Sequence, residues 1–469
     1  MPSVASDGVS SPALMSQAWA ALGGDPSDLD RVTVEGDPAG LLPSHFRVTE
    51  LMTAAVAVAT LAVSAFDAVR NTRPPAPVSL DVQHVAVAAR SERYARRIGS
   101  DPQIGMAPLS RFWKTADGWI RLHANYPWHL RRALDVLGCG DEPGAVAAKI
   151  AGRSSTELEE SLAAAGALGF SVRDLPQWSL HPQGEAVARQ QLVQTAVAQG
   201  PARRIPRARV LEGIRVLDLT RVIAGPVATR TLAAWGADVL RVDAPQLPEI
   251  PAQAIDTLQG KRSTLLDLSE PAGKARLEEL LSQADLIVQG YRPGALARYG
   301  LDPGSLADRW PHLSVMTISA WGSSGPWSGR RGFDSLVQCP AGIAAAEGDG
   351  QAPGALPAQA LDHATGYLAA AAAVMTLAGS LADGTTRAQE VSLARTAKWL
   401  TDAGPANNAR SRQAEPAPYL TVVPGNGFSV EVVQLPGQLG GRRPRWEHTT
   451  GLGADPPSFE GRGARQKRS

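Results

Sequence analysis

The sequence predicts an α/β protein: an open, mostly parallel sheet flanked by helices, with a second, smaller α+β domain. Two observations predict it. Between Val216 and Ser319, short apolar runs alternate with helical stretches at βαβ spacing, and such alternation specifies parallel strands joined by crossover helices. Between about Arg111 and Gln190 the pattern changes to a hairpin-like piece, "FWKTADGWIRLHAN", with Asp117 and Gly118 at its turn, followed by amphipathic helices rich in Ala, Leu and Glu.

The elements follow in order. Val216 to Leu219 is a strand by its β-branched and apolar content; Ala228 to Trp235 is helical, and Gly236 stops it. "ADVLRVD" is a second strand ending in Asp243, and "RSTLLDL" a third, preceded by Lys261 and Arg262. "SEPAGKARLEELLSQ" is a helix with Ser269 as N-cap and Pro271 in its first turn. "ADLIVQG" is a strand, "GALARYGL" a short helix closed by Gly300, and "LSVMTIS" a further strand, which completes an open sheet of Rossmann type. The divisions read from this pattern are 1–104, an N-terminal helix and strand segment; 105–200, the small α+β domain; 201–212, a basic, proline-containing linker; 213–404, the sheet domain; and 405–469, a Pro-, Gly- and Arg-rich tail read as poorly ordered.

Composition narrows the functional class. Forty-six basic and forty-five acidic side chains leave a formal charge of +1, so no global field recruits nucleic acid or an anionic membrane. Cys139 and Cys339 stand far apart without a CxxC, which argues against a disulfide framework and a cysteine zinc site, and no other metal-ligand pattern is present. The expected address is cytoplasmic, because the start of the chain has neither a basic n-region nor a continuous apolar h-region. The most apolar run, Leu51 to Phe66, is short for a membrane span and reads as a buried helix.

An internal echo joins two stretches. From His45 and from Leu361 the chain gives an Ala-rich helix, a turn and a strand containing "VSL". An ungapped alignment through the helices sets Thr365 on Thr49 and Asp362 on Phe46, so a true repeat has lost its carboxylate in the first copy; convergence of two Ala-rich helices is the other explanation.

Three features carry chemistry. The turn "TRVIAGPVATR" follows a strand and leads to a helix, but Gly225 stands alone and Pro226 removes an amide donor, so a dinucleotide pyrophosphate is disfavoured there. Lys261, Arg262, Arg292 and Arg298 are loop cations suited to separated phosphates, or else ordinary exposed charges. Asp362, in "QALDHATGYLAAAAAV", is either the N-cap of a small-residue helix or a carboxylate nucleophile toward an activated acyl group, and the two roles are compatible.

Together, "GIRVLDLTRVIAGPVATRTLAAWGADVLRVDAP", "GKRSTLLDLSEPAGKARLEELLSQADLIVQGYRPGALARYGL", "GRRGFDSLVQCPAGIAAAEG" and "ALDHATGYLAAAAAV" resemble the family III CoA-transferases, the group that includes formyl-CoA:oxalate and carnitine CoA-transferases and the alpha-methylacyl-CoA racemases. The resemblance covers about residues 213–397. It implies transfer of CoA between an acyl-CoA and a carboxylic acid through an aspartyl anhydride and an aspartyl-CoA thioester at Asp362. It also implies CoA contacts around Ile223 and Ala224, Lys261 and Arg262, and Arg292 to Arg298, no resident cofactor, and a homodimer. Two departures stand out. The pieces "KTADGWIRLHANYPWHLRRALDVLG" and "LPQWSLHPQGEAVARQQ" resemble a domain that the family places later, as in a permuted chain or a fusion to a truncated first copy. Phe333 stands where the racemases carry a histidine, and a phenylalanine cannot move protons. An acyl-CoA racemase or isomerase with another partner for Asp362, and a non-catalytic CoA-binding protein, are the alternatives.

Overall fold

The computed structural model describes residues 10–101, 105–196, 200–406 and 411–459. Its centre is a seven-stranded sheet in the spatial order Lys261–Leu265, Asp238–Asp243, Arg215–Leu219, Leu286–Gln289, Ser314–Ser319, Ala388–Ser392, Gln194–Thr195. Every neighbouring pair is parallel except the last, where Gln389 opposes Thr195. The chain starts at Arg215–Leu219, winds outward to one side, then returns to wind outward through Leu286–Gln289 on the other. The strand order therefore reverses between these two neighbours, and such a switch point leaves a crevice beyond the carboxyl ends of the strands. All four residues of Leu286–Gln289 are buried, as a central parallel strand covered on both faces requires.

Local boundaries shift from the sequence reading in informative ways. The first crossover helix is Ala224–Ala234, and it begins before the composition suggested because Pro226 is accommodated in its first turn. Lys261 and Arg262 lie within the strand Lys261–Leu265 rather than before it. The helix Pro271–Gln283 has Glu270 at its N-cap, while Ser269 donates to Asp267 in the preceding turn. "GALARYGL" forms only the single 3-10 turn Ala297–Tyr299, closed by Gly300 in a left-handed conformation.

Two 24-residue helices, Val48–Asn71 and Ala360–Asp383, pack against each other in the core. Both are long and apolar enough to cross a membrane by length and composition, yet both are mostly buried within the protein. The second also crosses Ala224–Ala234. Gly366 permits that approach: a Cβ there would lie 2.6 Å from the Ala224 carbonyl oxygen. The helix ends correct the alignment of the echo. Val48 matches Ala360, and the left-handed C-caps Thr72 and Gly384 match each other, which sets Asp362 opposite Glu50 and not Phe46. The first copy has kept an acid in its opening turn.

The small domain builds the expected hairpin, Phe112–Lys114 with Trp119–Leu122, and adds Gly169–Ser171 as a third antiparallel strand. It has its own apolar core around Ile120, Val146, Ile150 and Leu158. The 201–212 stretch is irregular and clasped by Arg70, which donates to the carbonyls of Pro206, Val210 and Glu212.

The tail reading needs correction. Residues 411–459 are packed, with a hairpin of Leu420–Pro424 and Ser429–Val433 that pairs with Arg96–Arg97. Trp446 is buried, its Nε1 donating to the Arg230 carbonyl, and Phe459 is buried beneath Arg215 and Arg262. Short strands and isolated aromatic anchors carry no periodicity, which is why the segment read as irregular. The parts of that reading at 407–410 and 460–469 lie outside the described residues.

Candidate active site

The crevice at the switch point is a cavity of about 920 Å³. Loops following the strands form most of it: Arg221 to Gly225, Asp243 to Leu247, Gly290 to Tyr299, and Ile318 to Ala320. The 330–333 loop and Asp362 form its back, and Tyr126, Trp128, His129 and Arg132 of the small domain close it.

The first turn is held from below by a buried ion pair. Lys261 Nζ lies 3.0 Å from Asp218 and also donates to the Pro226 carbonyl and Thr229. Burial pushes its ammonium down to about 8, because no water solvates it and Asp218 only partly compensates. Asp218 further accepts from Thr220 and Thr229, so one carboxylate ties strand, turn and helix together. Val222 sits at φ +70, a strained value for a β-branched residue, and its N–H is fixed by Glu249. Gly225 packs directly on Thr220, where a Cβ would come within 2.3 Å. The lone glycine thus serves close packing inside the turn.

Asp362 lies in the first turn of its helix and is 94% buried, with 6% of its surface exposed, on the wall of the cavity. It does not cap the helix. Asp334, which opens the short helix Asp334–Val337, takes that role: its Oδ2 accepts the Asp362 N–H at 2.9 Å. The Asp362 carboxyl is left facing the cavity beside two other acids. Burial first, then the charges of Asp334 and Glu92, raise its pKa well above the ordinary carboxylate range. Asp334 is raised too, by burial. Next door, His363 points away from the cavity and bonds Glu92 at 3.0 Å.

Arginines gather at the other side. A Cβ built on Gly166 would sit 3.0 Å from Arg132 Nη1 and 3.4 Å from Arg331 Nη1, which brings the small domain's guanidinium beside that of the 330–333 loop. Burial and the nearby charges of Arg292 and Arg132 depress the Arg331 pKa. Among the described residues, none of Arg132, Arg292, Arg298 and Arg331 has a carboxylate partner within ion-pair distance. Such concentrated, uncompensated positive charge suits a polyanionic ligand. Residues 211–422 match the sequence pattern of CoA-transferase family III.

That match covers 212 of the chain's 469 residues, and the chain resembles known proteins over a similar share. Across 48% of the chain, it is 32% identical to the "Probable fatty acyl-CoA transferase" of Mycobacterium tuberculosis, covering 62% of that protein. A formyl-CoA:oxalate CoA-transferase of Bradyrhizobium is 35% identical over 30% of the chain and 36% of its own length. A crystal structure of the mycobacterial protein superposes with a TM-score of 0.38 at 32% identity, over 40% of this chain and 57% of that one. The chain thus spans less than two thirds of the length of these relatives.

Within the family region the sequence-derived residues fall into two groups. Ala224, Arg292, Arg298 and Asp362 line the cavity, and Ile223 is buried at the helix start beside it. Lys261 and Arg262 do not reach it. They open their strand, whose register with Asp238–Asp243 puts its other end, Leu265, at the cavity edge beside Asp243. Residues that start a parallel strand and residues that follow one emerge on opposite rims. Lys261 holds Asp218, and Arg262 forks onto Asp238 at 2.9 Å through both oxygens. The sequence reading missed Asp334, Arg331 and the small-domain set. Phe333 shows why the last matter: His123 stacks on it at 4.0 Å and His129 lies 6.1 Å away, both histidines contributed by the "LHANYPWHL" loop.

Proposed function

We propose that the protein transfers CoA between an acyl-CoA donor and a carboxylic acid acceptor, with Asp362 as the nucleophile. The observation that carries this reading is the geometry of Asp362: a desolvated carboxyl at a ligand-sized cavity, relieved of helix capping by Asp334. An ionised Asp362 oxygen attacks the donor thioester carbonyl, and expulsion of the CoA thiolate leaves a mixed anhydride. The thiolate attacks the aspartyl carbonyl, releases the donor's acid and leaves an aspartyl-CoA thioester. The acceptor carboxylate attacks that thioester, expels the thiolate again and forms a second anhydride. Attack of the thiolate on the acceptor's carbonyl yields the new acyl-CoA and restores Asp362. Arg292, Arg298, Arg331 and Arg132 line the cavity and would neutralise the phosphates of CoA. The family resemblance supports CoA as the carried group and a dimer-like pairing of two units around the site.

The test is to incubate the protein with a panel of acyl-CoAs, trap with hydroxylamine, and map the adduct by peptide mass spectrometry. A hydroxamate at Asp362 that is absent from Asp362→Asn supports the route. Measurable CoA binding with no adduct for any donor overturns it.

A second reading has one observation of its own. His129 faces the same cavity as Asp362, and burial with the charges of Arg331, Arg132 and Arg221 lowers its pKa to about 4, so it is a neutral base at pH 7. Exchange of the α-proton of an acyl-CoA in heavy water, without CoA exchange, would favour an isomerase using this pair.

A further inference from the structure

The N-terminal unit repeats the architecture of the later one, and the two units exchange strands. In the later unit the strand Ser314–Ser319 leads through the helix Ala360–Asp383 to the parallel strand Ala388–Ser392, whose last residue caps the helix Leu393–Asp402. In the N-terminal unit the strand Val32–Glu35 leads through Val48–Asn71 to the parallel strand Val78–Asp81, whose last residue caps the helix Val82–Ala88. Each second strand then receives a two-residue antiparallel strand on its other edge. Gln194–Thr195 follows the N-terminal unit and its small domain in the chain, yet pairs with Ala388–Ser392 of the later unit. Gln438–Leu439 follows the later unit, yet pairs with Val78–Asp81 of the earlier one. The exchange is reciprocal, which chance similarity of two Ala-rich helices does not explain.

We infer that the chain is a fused pair in which the N-terminal unit occupies the place of a second copy, so that the interface of a homodimer is made inside one chain and only one of two pockets is built. The long helices cover each other: Leu51, Val58, Val374 and Leu377 are all buried, so this face is closed to a further copy. The second pocket lacks its parts. The N-terminal unit joins strand to helix through residues 36–47, against residues 320–359 in the later unit, and has no counterpart of the 330–333 loop. The surviving pocket is complete within one chain, since the small domain supplies Tyr126, Trp128, His129 and Arg132.

The test needs no activity, so its failure is separate from failure of the proposed CoA chemistry. The full chain is sized by gel filtration with light scattering at micromolar concentration, before and after cleavage at a protease site inserted behind the exposed Arg204. One species at the chain mass of 49.2 kDa, whose two fragments still elute together and part only in denaturant, is the expected result. A species of twice that mass, or fragments that separate without denaturant, overturns the inference.

Discussion

The helices Val48–Asn71 and Ala360–Asp383 match in length, in left-handed C-cap and in having an acid in the first turn, but their acids meet opposite surroundings. Glu50 lies 3.6 Å from Arg47, one turn away on its own helix, as an ordinary local ion pair. Asp362 has acids for neighbours and a cavity in front of it. The difference is made by what packs on the helix start. A short connection leaves Glu50 to its local partner, whereas the 320–359 connection brings Asp334 to the helix amides and leaves Asp362 on the cavity wall. Neighbours give the two acids different settings, at a position that both helices fill with an acid.

Substitutions at paired positions break or sharpen this contrast. Asp362→Asn should lower CoA exchange on the order of 10⁶-fold, the scale seen when a covalent nucleophile is lost, with little change in CoA binding by titration calorimetry. A variant retaining most of its turnover would move the chemistry elsewhere. Asp334→Asn keeps an acceptor for the Asp362 N–H but removes a negative charge. The raised Asp362 pKa should therefore fall, and the acid limb of the kcat profile should move to lower pH; an unmoved limb would show that Asp334 does not set it. The sign for stability is opposite in form. Both acids have raised folded pKa values, so their protonated forms stabilise fully below the unfolded value near 3.8, and this is lost as pH rises through the folded values. Chemical denaturation should show Asp334→Asn losing less stability than the parent between acid and neutral pH.

Packing offers a smaller contrast. Gly366→Ala drives a methyl against the Ala224 carbonyl and should cost about 1–3 kcal/mol in urea titrations, with a weaker KM for the acyl-CoA because the same turn lines the cavity. The matching position in the first helix is already Ala54, which is buried. The smallest effect belongs to Glu50→Gln. Loss of a local ion pair should leave turnover within about twofold and stability within about 0.5 kcal/mol. A large loss of activity there would mean that the first repeat keeps a working acid.

Strands with strong apolar runs, such as Val216 to Leu219 and "LSVMTIS", were legible from the sequence because burial on both faces leaves a continuous signature. The place of Asp362 beside a cavity was legible too, since small residues behind an acid leave room for another group. The cations were legible as a class and not by place. Lys261 reads like Arg292 until the strand register puts them on opposite rims, and Arg331 acquires meaning only beside Arg132, some two hundred residues earlier. The frame of the repeat was misjudged because alanine repeats align at several offsets, and only the helix caps fix one. Contacts distant in sequence, such as Asp334 with Asp362 or Trp446 with Arg230, leave no local pattern.

The strand exchange has a consequence for how the chain is made. Val78–Asp81 is translated long before Gln438–Leu439, the strand that covers its edge. Until the later unit emerges, the N-terminal unit therefore carries an open strand edge and an apolar helix with no counterpart, the two features that invite misassociation. A chain truncated before Gln438 should retain the sequence of the whole cavity lining yet collect in the insoluble fraction, and recovery of soluble protein when a 436–459 peptide is supplied in trans would tie the defect to that edge. A strand made late acts as the latch on one made long before it.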